Sequence, residues 1–246
     1  EIENKENQVL DELEKLLETN TAAVIIEPLL QGAGGMACVR SEFLQGLEKR
    51  VKAANSLLIV DEVLTGFGRC GSLFAFQRAD LKPDLIALSK GLTGGFLPMG
   101  ATMVSEKIFK NFIGTDPRLT FWHGHSFTAN PLGCAAANAS LDLLEENPNK
   151  FLNFEARHLP YLKDISNHPK VRRPRLIGTV AAFELQSKED SGYLNLSGKI
   201  LKDIAMQEGV FIRPLGNVVY LMPPLCITDK ELEQCYAALK YGLDKI

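Results

Sequence analysis

Amphipathic helices alternating with short apolar strands predict an open α/β sheet over the first part of the chain, followed by a smaller α+β domain. Three observations carry this expectation. Residues 22–27 (AAVIIE), 57–60 (LLIV) and 85–88 (LIAL) are continuous apolar or β-branched runs, the pattern of strands buried on both faces of a parallel sheet. Segments of helical period stand before and between the first two runs. Asn147 and Pro148 then interrupt a helix of small residues, so the boundary is set there: 1–147 as one domain and 148–246 as the other.

Taken in order, Val9, Leu10, Leu13, Leu16 and Leu17 recur at helical spacing among Glu and Lys, and that helix stops at Asn20. A helix so patterned needs a sheet to cover. Gly32, Gly34 and Gly35 after the first strand read as a loop. Ser41 is placed as the N-cap of a helix running to about Ala54. The second strand ends on Asp61 and the third closes on Ser89 and Lys90. A fourth strand is expected at 101–104 and a helix at 106–112. Pro131 sits in the first turn of the helix over 131–146, where proline fits helix geometry. The second domain is read as a helix near 150–165, a strand near 176–184, a helix near 193–208 and a hairpin-like pair over 211–227 turning at Gly216 and Asn217. Its last helix starts from Thr228, with Glu231 three residues later forming a capping box. Residue 1 is Glu, and the opening segment reads as mid-protein helix, so a fragment of a longer polypeptide is expected.

Composition narrows the classes of function. With 246 residues, 46% hydrophobic and 23% charged, the chain can bury a real core. The net charge of −3 is spread over both signs, which leaves no footprint for nucleic acid or an anionic membrane. Five scattered cysteines, none in a C-x-x-C pair, argue against a disulfide framework and fit a reducing cytosol. No apolar stretch is long enough to span a bilayer. Small-molecule ligands are the expectation.

An acidic side chain and a lysine at strand ends of one sheet suit a particular chemistry. Pyridoxal phosphate needs a lysine to hold it as a Schiff base and an acid to keep its ring nitrogen protonated, and Lys90 and Asp61 can meet both needs. Residue types alone do not separate this reading from an ordinary loop lysine and a turn acid. The longer string does more. From Leu57 to Ala101 the chain reads as apolar strand, Asp61-Glu62-Val63, the loop Gly66-Phe67-Gly68-Arg69, Pro83-Asp84 and Ser89-Lys90-Gly91, in that order. This resembles the extended signature of the class-III pyridoxal-phosphate-dependent aminotransferases.

The resemblance implies a fold-type I transferase in which 1–147 is part of the large cofactor-binding domain and 148–246 the small domain. It implies that Asp61 pairs with the ring nitrogen, that Val63 packs on the ring face, and that Lys90 carries the cofactor and moves the substrate proton. Upstream, Glu27, Pro28 and Gln31 through Met36 resemble the family's segment at the cofactor edge. Gln31 either approaches the ring's phenolic oxygen there, or Gly34 and Gly35 merely let the backbone turn. Downstream, residues 120–131 resemble the loop that crosses a dimer interface, implying a homodimer with shared sites: Ser126 and His125 toward a neighbour's cofactor phosphate, Gly124 bordering the substrate. His125 departs from the usual residue, which leaves its contact open. His123 and His125 alternate as strand ligands to a metal would, but no third ligand of matching spacing accompanies them, so no metal is expected.

Residues 211–224 resemble the small-domain strands of the family members that serve biotin synthesis. Arg213 then matches the arginine that clamps a substrate carboxylate, for which a planar guanidinium is suited and lysine is not. Leu215 stands where a bulkier aromatic is familiar. The implied reaction moves an amino group from S-adenosylmethionine to 8-amino-7-oxononanoate. The alternatives are another ω-aminotransferase or an aminomutase of the same family, or a truncated non-catalytic fragment. The family's main phosphate-holding turn, at a helix N-terminus, has no counterpart in this sequence.

Overall fold

The computed structural model describes residues 1–122, 124–186 and 195–246. These form two compact units. One comprises Glu1–Leu29, Val39–Phe67 and Leu73–Pro148; the other comprises Leu30–Cys38, Gly68–Ser72 and Asn149–Ile246.

The first unit is built on a four-stranded sheet. Strands β1 (Ala23–Ile26), β4 (Leu57–Asp61) and β5 (Leu85–Leu88) run parallel, and β6 (Ala101–Val104) closes the order β1-β4-β5-β6 in the antiparallel sense. Apolar side chains at alternate positions of β4, Leu58 and Val60, are wholly buried. Burial on both faces does not hold throughout: Ile25 is exposed, because β1 is an edge strand here. Helix α1 (Ile2–Leu17) buries Leu10 and Leu17 and lies on α2 (Ser41–Ala53), which in turn covers β4. Val9 and Leu16, though periodic, face outward. Ser41 is not the N-cap of α2; Arg40 takes that place with extended backbone and no side-chain cap. The expected helix over 106–112 divides into α4 (Glu106–Phe109) and a 3-10 turn, Lys110–Phe112. Helix α5 (Pro131–Glu146) starts as expected, with the Asn130 side chain accepting from the Gly133 N–H at 2.7 Å. It packs Ala137 into a cluster with Phe67, Leu88 and Leu92.

The second unit holds a three-stranded antiparallel sheet, β7 (Val171–Ile177), β8 (Val180–Leu185) and β9 (Val218–Leu221), in sequential order. Helices α6 (Phe154–Ser166), α7 (Ser197–Gln207) and α8 (Asp229–Lys245) accompany it. Its core contains Phe183, Val219, Leu201 and Leu239. Two sequence expectations are corrected. The single strand near 176–184 is a hairpin, turning at Gly178 and Thr179. The pair over 211–227 has one strand only, β9; its first arm makes no more than an isolated bridge from Leu215 to Val218. The expected loop at Gly32, Gly34 and Gly35 is the turn of a two-residue hairpin, β2 (Leu30–Gln31) against β3 (Ala37–Cys38), which together with 68–72 clusters with the second unit. The expected start of α7 at Tyr193 lies outside the described residues.

Two side chains stand out in this unit. His158 is fully buried, and its Nδ1 is 2.7 Å from the Tyr236 hydroxyl. Arg175 is held by four acceptors: the Met36 carbonyl at 2.6 Å, the Gly35 carbonyl at 2.5 Å, the Arg173 carbonyl at 2.9 Å and Glu184 at 3.3 Å. It thereby clamps the β2–β3 hairpin to β7 and β8.

Candidate active site

Asp61 is the last residue of β4 and is paired in register with Ala87 of the neighbouring parallel strand. Lys90 begins the 3-10 turn Lys90–Thr93 immediately beyond β5. Both therefore leave the same, carboxyl end of adjacent parallel strands, the edge where open α/β sheets bind ligands. The Asp61 carboxylate accepts one hydrogen bond through Oδ1, from the Val63 N–H at 3.0 Å. Among the described residues Oδ2 has no donor, and the Lys90 ammonium, which is exposed, has neither an acid nor an acceptor partner. A partly buried carboxylate oxygen and an unpaired ammonium on one sheet edge suit a ligand with a cationic ring nitrogen and an aldehyde.

The backbone at Lys90 is unusual. Its φ is +41°, in the left-handed region that a side chain with a Cβ rarely adopts. The next residue must be glycine, because a Cβ on Gly91 would lie 2.8 Å from both Cβ and Cδ2 of Phe67. Ser140 holds the Gly91 carbonyl at 3.1 Å, and Ser89 donates to the Met99 carbonyl at 2.7 Å. The turn bearing the lysine is thus fixed from three sides by the strand, the Phe67 ring and α5.

Glu62 was not singled out by the sequence reading. It continues the face of β4 that carries Leu58 and Val60, the alternation that could have revealed it, and it is 0% exposed. Burial pushes its carboxyl above the usual carboxylate range, opposed by hydrogen bonds from Thr65, Phe76 and Ala75.

The remaining sequence candidates are dispersed. Gly124, His125 and Ser126 stand exposed on a separate loop between the 3-10 turn Pro117–Leu119 and α5. His125 Nδ1 accepts from the Phe127 N–H at 3.1 Å, so that ring atom serves the local turn. His123 lies outside the described residues. Around this loop Phe121, Trp122 and Phe127 are 78%, 74% and 75% exposed. Arg213 belongs to the second unit, between buried Ile212 and Pro214, exposed and without an acid partner among the described residues. Gln31 lies on β2 with its Oε1 turned toward Gly34.

No helix among the described residues is long and apolar enough to cross a membrane. The family model of class-III aminotransferases matches residues 1–243. Over 246 residues the chain is 53% identical to the adenosylmethionine-8-amino-7-oxononanoate aminotransferase of Synechococcus elongatus, all of it aligning with 58% of that protein. It is 40% identical to the protein of the same name from Geobacter sulfurreducens, with 92% of this chain and 52% of that one covered. The chain therefore spans about half the length of the curated relatives it matches. Among solved structures, a transaminase with L-ala superposes with a TM-score of 0.91 at 28% identity, covering 100% of this chain and 60% of that one. The adenosylmethionine-8-amino-7-oxononanoate aminotransferase of Methanocaldococcus jannaschii superposes with 0.86 at 32% identity, covering 96% and 57%. With the family pattern matched nearly end to end and the α/β fold shared with solved transaminases, the chain belongs to the class-III aminotransferases of fold-type I.

Proposed function

We propose that this chain is part of a pyridoxal-phosphate-dependent transaminase that converts 8-amino-7-oxononanoate to 7,8-diaminononanoate with S-adenosylmethionine as amino donor. The observation that carries the chemistry is the placement of Asp61 and Lys90 at adjacent strand ends, each with a polar atom lacking a partner among the described residues. The substrates rest on the 53% identity to a relative of that name. In this reading residues 1–147 are part of the large cofactor-binding domain and 148–246 the small domain.

Bound pyridoxal phosphate supplies an electron-accepting ring for carbanion chemistry. Asp61 would keep the ring nitrogen protonated through Oδ2, since Oδ1 is engaged by Val63. Lys90 would hold the cofactor aldehyde through Nζ and, once displaced by the substrate amine, take and return the proton on the substrate carbon. Val63 would pack on the ring. Arg213 would bind the carboxylate of the oxononanoate with two parallel N–H donors. Ser126, with His125 beside it, would reach the cofactor phosphate of a second copy, and Gly124 would border the substrate. The exposed ring set Phe121, Trp122 and Phe127 supports such a homodimer, because apolar patches of this kind mark interfaces. Exposed free Cys38 and Cys226 support a cytoplasmic location.

A second reading, another class-III transaminase with a different amino donor, is favoured by the superposition on the transaminase with L-ala. Two measurements on the full-length protein decide. Borohydride reduction and peptide mapping should place the pyridoxyl group on Lys90; a different lysine would overturn the site. Amino transfer to 8-amino-7-oxononanoate should proceed from S-adenosylmethionine and not from alanine; the reverse would establish the second reading.

A further inference from the structure

We infer that Glu62 is the positioning residue that sets Asp61 and Lys90 relative to one another, a role that rests on the proposed use of those two groups. A strand alternates its side chains, so Asp61 points to one face and Glu62 to the other, where Leu58 and Val60 are buried. A carboxylate at such a place is costly unless its oxygens are satisfied. They are: Oε2 accepts from the Thr65 hydroxyl at 2.6 Å and the Ala75 N–H at 3.1 Å, and Oε1 accepts from the Phe76 N–H at 2.7 Å.

These bonds tie together the two ends of one loop. Thr65 stands at its start and Ala75 and Phe76 at its end, where the short helix α3 (Ala75–Arg78) begins. The backbone of Glu62 adds two ties: its carbonyl accepts from the Gly66 N–H at 3.1 Å, and its N–H donates to the Ala87 carbonyl at 2.9 Å. The first closes the turn just after Asp61, and the second joins that turn to β5 three residues before Lys90.

Phe67 rides on the same loop. Its Cβ and ring atoms occupy the space that a side chain at Gly91 would need. The position of Phe67 therefore decides where the backbone after Lys90 can run. Because Lys90 is held at positive φ, a conformation that persists only when its surroundings over-determine it, a loosened Phe67 would release the lysine first. One buried carboxylate thus reaches Asp61 through the turn and Lys90 through the loop.

The full-length protein with Glu62→Gln tests this, since glutamine keeps the volume but turns an NH2 toward donors. In the cofactor-free protein, amide exchange should accelerate about tenfold or more at 63–67 and also at 89–95. In the cofactor-loaded protein, the pH at which the bound chromophore changes absorbance should shift by about one unit or more, reporting altered support of the ring by Asp61 and Lys90. Thr65→Val, which removes one donor and keeps the carboxylate, should give smaller changes of the same sign, and it decides alone if Glu62→Gln does not fold. Faster exchange confined to 73–78, with 89–95 and the absorbance midpoint unmoved, would reduce Glu62 to an anchor of α3 and overturn the inference. Absence of any cofactor absorbance in the unaltered protein would sink the functional reading instead, leaving the exchange result to judge Glu62.

Discussion

Acidification should destabilise the second unit through a single side chain. His158 has no exposed surface, and burial pushes its imidazole from the usual 6.5 down to about 4; the Thr179 backbone opposes that shift and the Arg157 charge adds to it. The unfolded chain accepts a proton at about 6.5, whereas the folded protein resists it until about 4. Stability held by the neutral ring is therefore fully present above pH 6.5, falls as the pH drops, and is gone by about pH 4. The gap, at about 1.4 kcal/mol for each pH unit, amounts to about 3 kcal/mol, a sizeable share of a domain's stability. His158→Gln keeps an acceptor for the Tyr236 hydroxyl and removes the titration. Urea unfolding followed by near-ultraviolet circular dichroism of the tyrosines, at intervals between pH 7.5 and 4, should show the unaltered protein losing about 3 kcal/mol more than the variant. Parallel pH dependences of the two proteins would refute the assignment.

Other consequences can be checked separately. On the proposed function, Arg213→Lys in the full-length protein should lower kcat/KM for the oxononanoate by roughly 1.5–3 kcal/mol through loss of the proposed two-donor clamp, with the cofactor spectrum unchanged; equal kinetics would argue against the carboxylate role. Gly178→Ala should cost roughly 3 kcal/mol or more in thermal unfolding, because its Cβ would fall 2.4 Å from backbone atoms of Arg69, Cys70 and Gly71 and its φ is +51°; a variant as stable as the parent would show that this contact yields freely. Arg175→Gln should speed proteolytic nicking within 32–36, since it removes donors from the Gly35 and Met36 carbonyls; an unchanged cleavage rate would mean that the hairpin holds itself. The 246-residue chain made alone should show no measurable transamination, because it aligns with only 58% of its Synechococcus elongatus relative; turnover by the purified chain would contradict that.

Much of the first unit was legible because its signals are local. Apolar runs located β1, β4 and β5, and Asn130 with Pro131 located the start of α5. The strand ends that carry Asp61 and Lys90 were visible in the pattern of hydrophobicity, whereas their expected roles came from the resemblance of 57–101 to the family signature. What escaped depends on partners far along the chain. The turn at Gly178 was overlooked within an apolar run, since only its neighbours in space, Arg69 to Gly71, explain why glycine is needed. The arm at 211–214 looked like a strand by composition, yet it forms no strand, and the neighbouring Leu215 makes only an isolated bridge to Val218. Glu62 and His158 are buried polar groups whose partners are recognisable only once the chain is folded.

The second unit draws on residues 30–38 and 68–72, which are synthesised long before most of it. Arg175 reaches the Gly35 carbonyl across 140 residues of sequence, and Arg69 reaches the Pro223 carbonyl, at 2.8 Å, across 154. Contacts of such separation close slowly, because loop entropy must be lost before any bond is gained. The hairpin and the Gly68–Ser72 segment therefore wait, nascent and unclamped, until the last third of the chain has emerged. No single cut near residue 148 can then yield two self-sufficient pieces: the later piece would lack both segments, and the earlier one would carry them with nothing to receive them.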